Sequence, residues 1–133
     1  MPKKTLRSVR SIAELNEAHR LYCESSTDYR VKQQIYTKSS ILTRPKIKAL
    51  TAAVGIYLDK EKNESNQINL ALLQLNRAIV QNELDEVKHE HAKYWEEMKL
   101  AHVDFESKYK EYMTASRKYN EYLQQLAKDK AEQ

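Results

Sequence analysis

Two stretches of the chain hold residue types that can do chemistry. The first is DEVKHEHAKYWEE (85–97). Glu86 and His89 have the E-x-x-H spacing that puts a carboxylate and an imidazole on one side of a helix, as carboxylate-bridged di-metal sites require. Such a site also needs a second E-x-x-H and further glutamates on facing helices. His19, His91 and His102 have no Glu three residues before them, and H-E-x-x-H does not occur. A second copy of the chain would have to supply the other half. The expectation is a solvated charged face around Glu86 and His89, with His91 partly in an apolar stripe, and no metal. One glycine, Gly55, cannot make a P-loop or a glycine-rich phosphate cradle. No nucleophile elbow or locatable triad is present. No catalytic residue and no cofactor is predicted, and an enzyme is not expected.

The second stretch is SKYKEYMTASRKYNEYL (107–123), which carries Tyr109, Tyr112, Tyr119 and Tyr122 among lysines, an arginine and glutamates. Aromatics interleaved with cations can stack nucleic-acid bases, provided that both share a face. On a helix at about 100° per residue, Phe105, Tyr112, Tyr119, Leu123 and Leu126 cluster along one line, with Tyr109 about 40° away. Lys110, Arg117 and Lys118 point roughly 120–140° from that line, beside Glu111 and Glu121. The wheel therefore reads the tyrosines as a packing seam and the cations as its solvated back. Tyr122, about 100° off the line, fits neither group.

Charge offers a third candidate. The net charge is +4, and Lys3, Lys4, Arg7 and Arg10 precede the first acid, Glu14. The remaining basic residues balance the 19 acids, so the excess sits in residues 1–10. Such an arm can reach phosphates, an anionic membrane or an acidic protein, can resemble the start of a transit peptide, or can be a solvated tail.

These residues need elements to position them. One glycine and two prolines in 133 residues leave few tight turns and point to long helices. Hydrophobic residues at 41% and charged residues at 32% fit a helical protein without a large core. Ser11 and Glu14 form a capping-box pattern that predicts a helix start. ESST (24–27) reads as an interruption, and 28–40 reads as a short helix with a strand as the alternative. Thr43 and Pro45 read as the N-cap and first turn of a helix through Leu58. Gly55 inside it would admit a close neighbour or mark a bend. KEKNESN (60–66) is the linker candidate, with Ser65 or Asn66 as the next cap.

From Gln67 to about Lys128 there is neither Gly nor Pro. Ile68, Leu70, Leu72, Leu73, Leu75, Ile79 and Val80 cover most of a helix circumference and call for enclosure by other helices. Beyond them a stripe runs through Leu84, Val87, His91, Tyr94, Met98, Phe105, Tyr109, Tyr112, Tyr119, Leu123 and Leu126. This region is expected to be one helix, with a break near 80–83 as the alternative.

The predicted fold class is all-α: a small N-terminal helical head plus a long C-terminal amphipathic helix, either a coiled-coil-like stem or a helical hairpin. The divisions are 1–10, a basic arm; 11–80, the head; and 81–133, the stem. The predicted partner interface is Val87, Tyr94, Trp95, Met98, Phe105, Tyr109, Tyr112, Tyr119, Leu123 and Leu126. Lys3, Lys4, Arg7 and Arg10 are the candidate anion-binding set. The function expected is a non-catalytic helical interaction or assembly protein, a structural or adaptor subunit. Its partner is a second copy, another chain or the protein's own N-terminal helices. The alternative is an oligomeric nucleic-acid-binding subunit of viral packaging or regulatory type, using the arm. Ser116 and His91 on the stripe, and tyrosines in place of Leu and Ile, argue against a simple two-stranded zipper. No membrane span is predicted. With Cys23 the only cysteine, a reducing intracellular compartment, cytoplasmic or nuclear, is expected, with the thiol buried or inert.

Overall fold

The computed structural model describes residues 3–132, with side chains described from Arg10 to Glu132. It is all-α, with two helices and no strand among the described residues. Helix α1 spans Lys3–Asn63 and helix α2 spans Gln67–Ala131. Residues 64–66 join them. The turn is closed locally: Asn66 Oδ1 accepts from the backbone N–H of Ile68 at 2.9 Å and of Asn69 at 3.3 Å, so Asn66 caps α2. The Asn66 N–H in turn donates to Glu64 Oε1 at 3.0 Å. The linker is shorter than the predicted 60–66 because Lys60–Asn63 still belong to α1.

α1 corrects several sequence expectations. Residues 11–63 do not fall into separate short helices, and Ser11 caps nothing, since α1 already runs through it. ESST does not interrupt the helix. Ser25 Oγ donates to the Tyr22 carbonyl at 2.9 Å and Thr27 Oγ1 to the Cys23 carbonyl at 3.0 Å. Back-bonding of this kind lets hydroxyl residues ride inside a helix. Thr43 is not an N-cap; its hydroxyl lies 3.4 Å from Ser39 Oγ within the helix. Pro45 sits in the interior of α1. Its ring removes the usual bond to the carbonyl of Ile41, and both Ile41 and Pro45 lie on the exposed side of the helix. Gly55 has nothing within 4 Å of where a Cβ would stand, so it serves no close approach within the chain. Cys23 is exposed rather than buried, with His19 Nε2 at 3.6 Å from its sulfur.

α2 is continuous through residues 80–83, the predicted alternative break. Its less exposed positions recur at strictly alternating steps of three and four from Leu70 through Arg77, Leu84, His91, Met98, Phe105, Tyr112, Tyr119 and Leu126 to Asp129. α1 shows the same alternation on either side of an irregularity between Tyr36 and Ile47, where Ser39 and Ser40 both turn inward. Tyr36 and Ile47 are eleven positions apart, seven plus four, and an insertion of four residues shifts the register of a seven-residue pattern.

The chain divides into two units. Unit 1 is Met1–Val31 with Lys99–Gln133, and unit 2 is Lys32–Met98. In each, a segment of α1 lies against an antiparallel segment of α2. In unit 1, His19 meets Tyr112 while Tyr29 meets His102. In unit 2, Ser39 meets His91 while Glu61 meets Arg77. Two paired helices have only one inner surface. Among the described residues the only buried hydrophobics are accordingly Leu84 and Ala101.

Candidate partner interface

The aromatic residues of unit 1 form a ladder across the helix pair. Tyr22 stacks on Tyr112 with ring centroids 5.4 Å apart and planes 13° from parallel. It also lies 5.6 Å from Phe105 and 5.7 Å from Tyr109. Phe105 stacks on Tyr29 at 5.7 Å and 16°. His19 and His102 cap the ladder, against Tyr112 at 5.3 Å and Tyr29 at 5.0 Å. Small residues make room: Ser25, buried, lies on α1 between Tyr22 and Tyr29, while Ala101 is buried on α2. Each offset or tilted ring pair adds about 0.5–1.5 kcal/mol beyond its area burial. Tyrosine suits so thin a layer because the ring packs while the hydroxyl still reaches water.

Three of the predicted interface residues, Phe105, Tyr109 and Tyr112, thus lie against the chain's own α1. Tyr119 and Leu126 follow at the same inward positions, half-buried, whereas Tyr109 and Leu123 stand at the margin and are exposed. Tyr109 borders a shallow surface depression with Lys110, Met113 and Arg117. Tyr122, which the straight-helix wheel left unplaced, takes an inward position, and so does Lys108. The wheel misplaced Tyr122 because it drifts about 20° per heptad against a seven-residue period. On the outer side of α1 in this unit, Arg20 donates to Glu17 and, at 2.6 Å, to Glu24. The hydrogen bond from Arg20 holds the Glu17 carboxyl below the ordinary range.

Unit 2 is built differently. Tyr36 lies against His91 at 5.2 Å and Trp95 at 5.1 Å, and Lys60 Nζ stands 5.9 Å from the Tyr57 ring centroid. Val87, Tyr94 and Met98 are half-buried, and Trp95 is at the margin. The seam also carries charge: Arg77 Nε donates to Glu61 Oε2 at 2.7 Å, and the Glu61 side chain is only 10% exposed. Glu86 and His89 are exposed, and no group of three or more metal-ligating side chains occurs among the described residues.

An exposed apolar row lies on the opposite side of α2 from the seam. Ile68, Leu72, Leu75 and Ile79 follow steps of four, three and four along α2 and are 74, 55, 57 and 58% exposed. They face away from the inward positions Leu70, Leu73, Arg77 and Val80, by about 150° on the helix. The predicted enclosure by several N-terminal helices is absent here: α1 covers one side, and the other is open. Ile56 of α1 extends the surface, lining a groove with Leu72 and Asn76. From Ser65 to Asn82 the only charged residue is Arg77, which is paired with Glu61. The signal was present in the sequence as a circumference apolar nearly all round.

Of the candidate anion-binding set, the side chains of Lys3, Lys4 and Arg7 lie outside the described residues. Arg10 is exposed and sits 3.6 Å from Glu14. No helix among the described residues is long and apolar enough to cross a membrane. Comparison with protein-family models, with curated proteins and with solved structures finds no significant match.

Proposed function

We propose that this protein is a non-catalytic helical assembly subunit. Its tyrosine seam packs antiparallel coiled-coil segments within the chain, and its open aliphatic face on α2 joins a second copy. The observation that carries the reading is the exposed row Ile68, Leu72, Leu75 and Ile79. Water-exposed apolar rows at helical spacing are faces awaiting a partner. The chain is rich in charge, yet this segment is almost free of it, and depletion of charge marks the centre of protein interfaces.

A second copy is the partner chosen because an uncharged face meets itself without like-charge repulsion, and a two-fold contact uses the same patch twice. Four such side chains and their margins bury about 1,000 Å² counting both sides, near the lower bound for a specific interface. Sedimentation of the full chain tests this. Leu72→Asp with Leu75→Asp is expected to abolish self-association without loss of helicity, because both positions face solvent in the single chain. An unchanged mass distribution in that variant would exclude this face as the contact.

A further inference from the structure

The outward face of α1 in unit 2 has a character of its own. Between Asp28 and Asp59 the sequence holds no acid and six basic residues, among them Lys38, Arg44, Lys46 and Lys48. None of these four makes an ion pair among the described residues. Ile41 and Leu42 in their midst are 68% and 76% exposed. Pro45, Ala49 and Ala52 continue this exposed strip. On the helix the strip is centred about 130–170° from the inward positions Tyr36, Thr43, Ile47 and Leu50, so it faces away from α2. Lys46 and Lys48 stand about 80° to either side of its centre, and Lys38 lies at one end.

We propose that this face binds the surface of an anionic lipid bilayer, with α1 lying in the plane of the interface. An aliphatic strip with cations on both flanks matches a helix sunk to the boundary of headgroups and acyl chains. Ile41 and Leu42 enter the apolar layer. Lys46 and Lys48 lie along its edges and extend their ammonium groups to the headgroups on each side. Nucleic acid fits less well, since bases stack on aromatic rings and the outward residues here are aliphatic. An acidic helix would place its charge on one flank, whereas a headgroup layer surrounds the strip.

Flotation of the full-length protein with vesicles tests the assignment. The probes are phosphatidylcholine alone and phosphatidylcholine mixed with phosphatidylserine, each at low and high salt. The protein is expected to bind the mixed vesicles at low salt and neither kind appreciably at high salt. Each cation near such a surface contributes about a fivefold gain, so Lys46→Gln with Lys48→Gln should weaken binding about 25-fold. Ile41→Gln with Leu42→Gln should also release the protein, with the helix content of both variants unchanged. Leu72→Asp with Leu75→Asp should leave vesicle binding intact, which separates this face from the self-association face. Equal binding to neutral vesicles, no binding at low salt, or full binding by the Lys46 and Lys48 variant overturns the proposal. So does binding of single-stranded or duplex nucleic acid that needs Lys46 and Lys48 but not Ile41 and Leu42.

Discussion

Unit 1 and unit 2 use the same architecture, an antiparallel pair of helical segments, and solve different problems with it. Unit 1 fills its inner layer with rings: Tyr22, Tyr29, Phe105 and Tyr112 touch one another, and His19 and His102 close the ends. Its outer surface carries ion-pair networks such as Glu17–Arg20–Glu24 on α1 and two exposed aliphatics on α2, Leu100 at 69% and Val103 at 64%. Unit 2 has fewer rings inside, an ion pair in its seam, and aliphatic residues on the outward sides of both helices. Large aromatic side chains let two helices alone make a usable layer. A pair of helices that is apolar inside and outside points instead to further layers. The proposed contact between copies is placed in unit 2 because its exposed aliphatic row, Ile68, Leu72, Leu75 and Ile79, is the longer one.

The largest expected effect comes from charging the ring layer. Tyr112→Asp with Tyr119→Asp removes the stack on Tyr22 and puts carboxylates at inward positions. The loss is expected to reach about 3–5 kcal/mol, in the range of aromatic truncation in cores, read as a lowered thermal midpoint. Lys110→Ala with Lys118→Ala, on the exposed side of the same helix, should stay within about 0.5 kcal/mol. Equal effects from the two pairs would undo the distinction between seam and back.

A smaller change is expected in unit 2. Arg77→Ala leaves the poorly exposed Glu61 carboxylate without its donor, at a cost of about 1.5–3 kcal/mol for a charge-assisted hydrogen bond, discounted because Arg77 is itself about one-third exposed. The double variant Arg77→Ala with Glu61→Gln checks the cause: removing the carboxylate should recover part of the loss, whereas a purely steric defect at position 77 would persist.

The smallest effect has the opposite sign. Gly55→Ala should raise stability by about 1 kcal/mol, the helix-propensity difference, because the added methyl meets open space. A loss on this substitution would mean that a partner approaches Gly55 closely in the assembled protein, which a concentration series would reveal.

How much of this was readable beforehand differs between the helices. α2 could be read from the absence of Gly and Pro after Asn66, the capping chemistry of Asn66, and a stripe running from Val80 to Leu126. The stripe was blurred only by treating the helix as straight, which excluded Tyr122 and centred Leu123 too far inward. α1 was harder to read. Its serines, threonines and Pro45 resemble punctuation locally, and only backbone carbonyls within the folded helix turn Ser25 and Thr27 into ordinary helical residues. The site divides similarly. The tyrosines were recognisable as a seam, but the side to which they pack depends on the antiparallel return of the chain. Ile68, Leu72, Leu75 and Ile79 were visible as excess apolar surface, and only the positions of the two helices show which of the apolar residues are left uncovered.

The proposed contact between copies in unit 2 is tested by the molar mass of the full chain in solution across a concentration series. The expected result is a mass above that of the monomer at tens to hundreds of micromolar, and a monomer for Leu72→Asp with Leu75→Asp at unchanged helicity. A wild-type chain that remains monomeric throughout that range would contradict it.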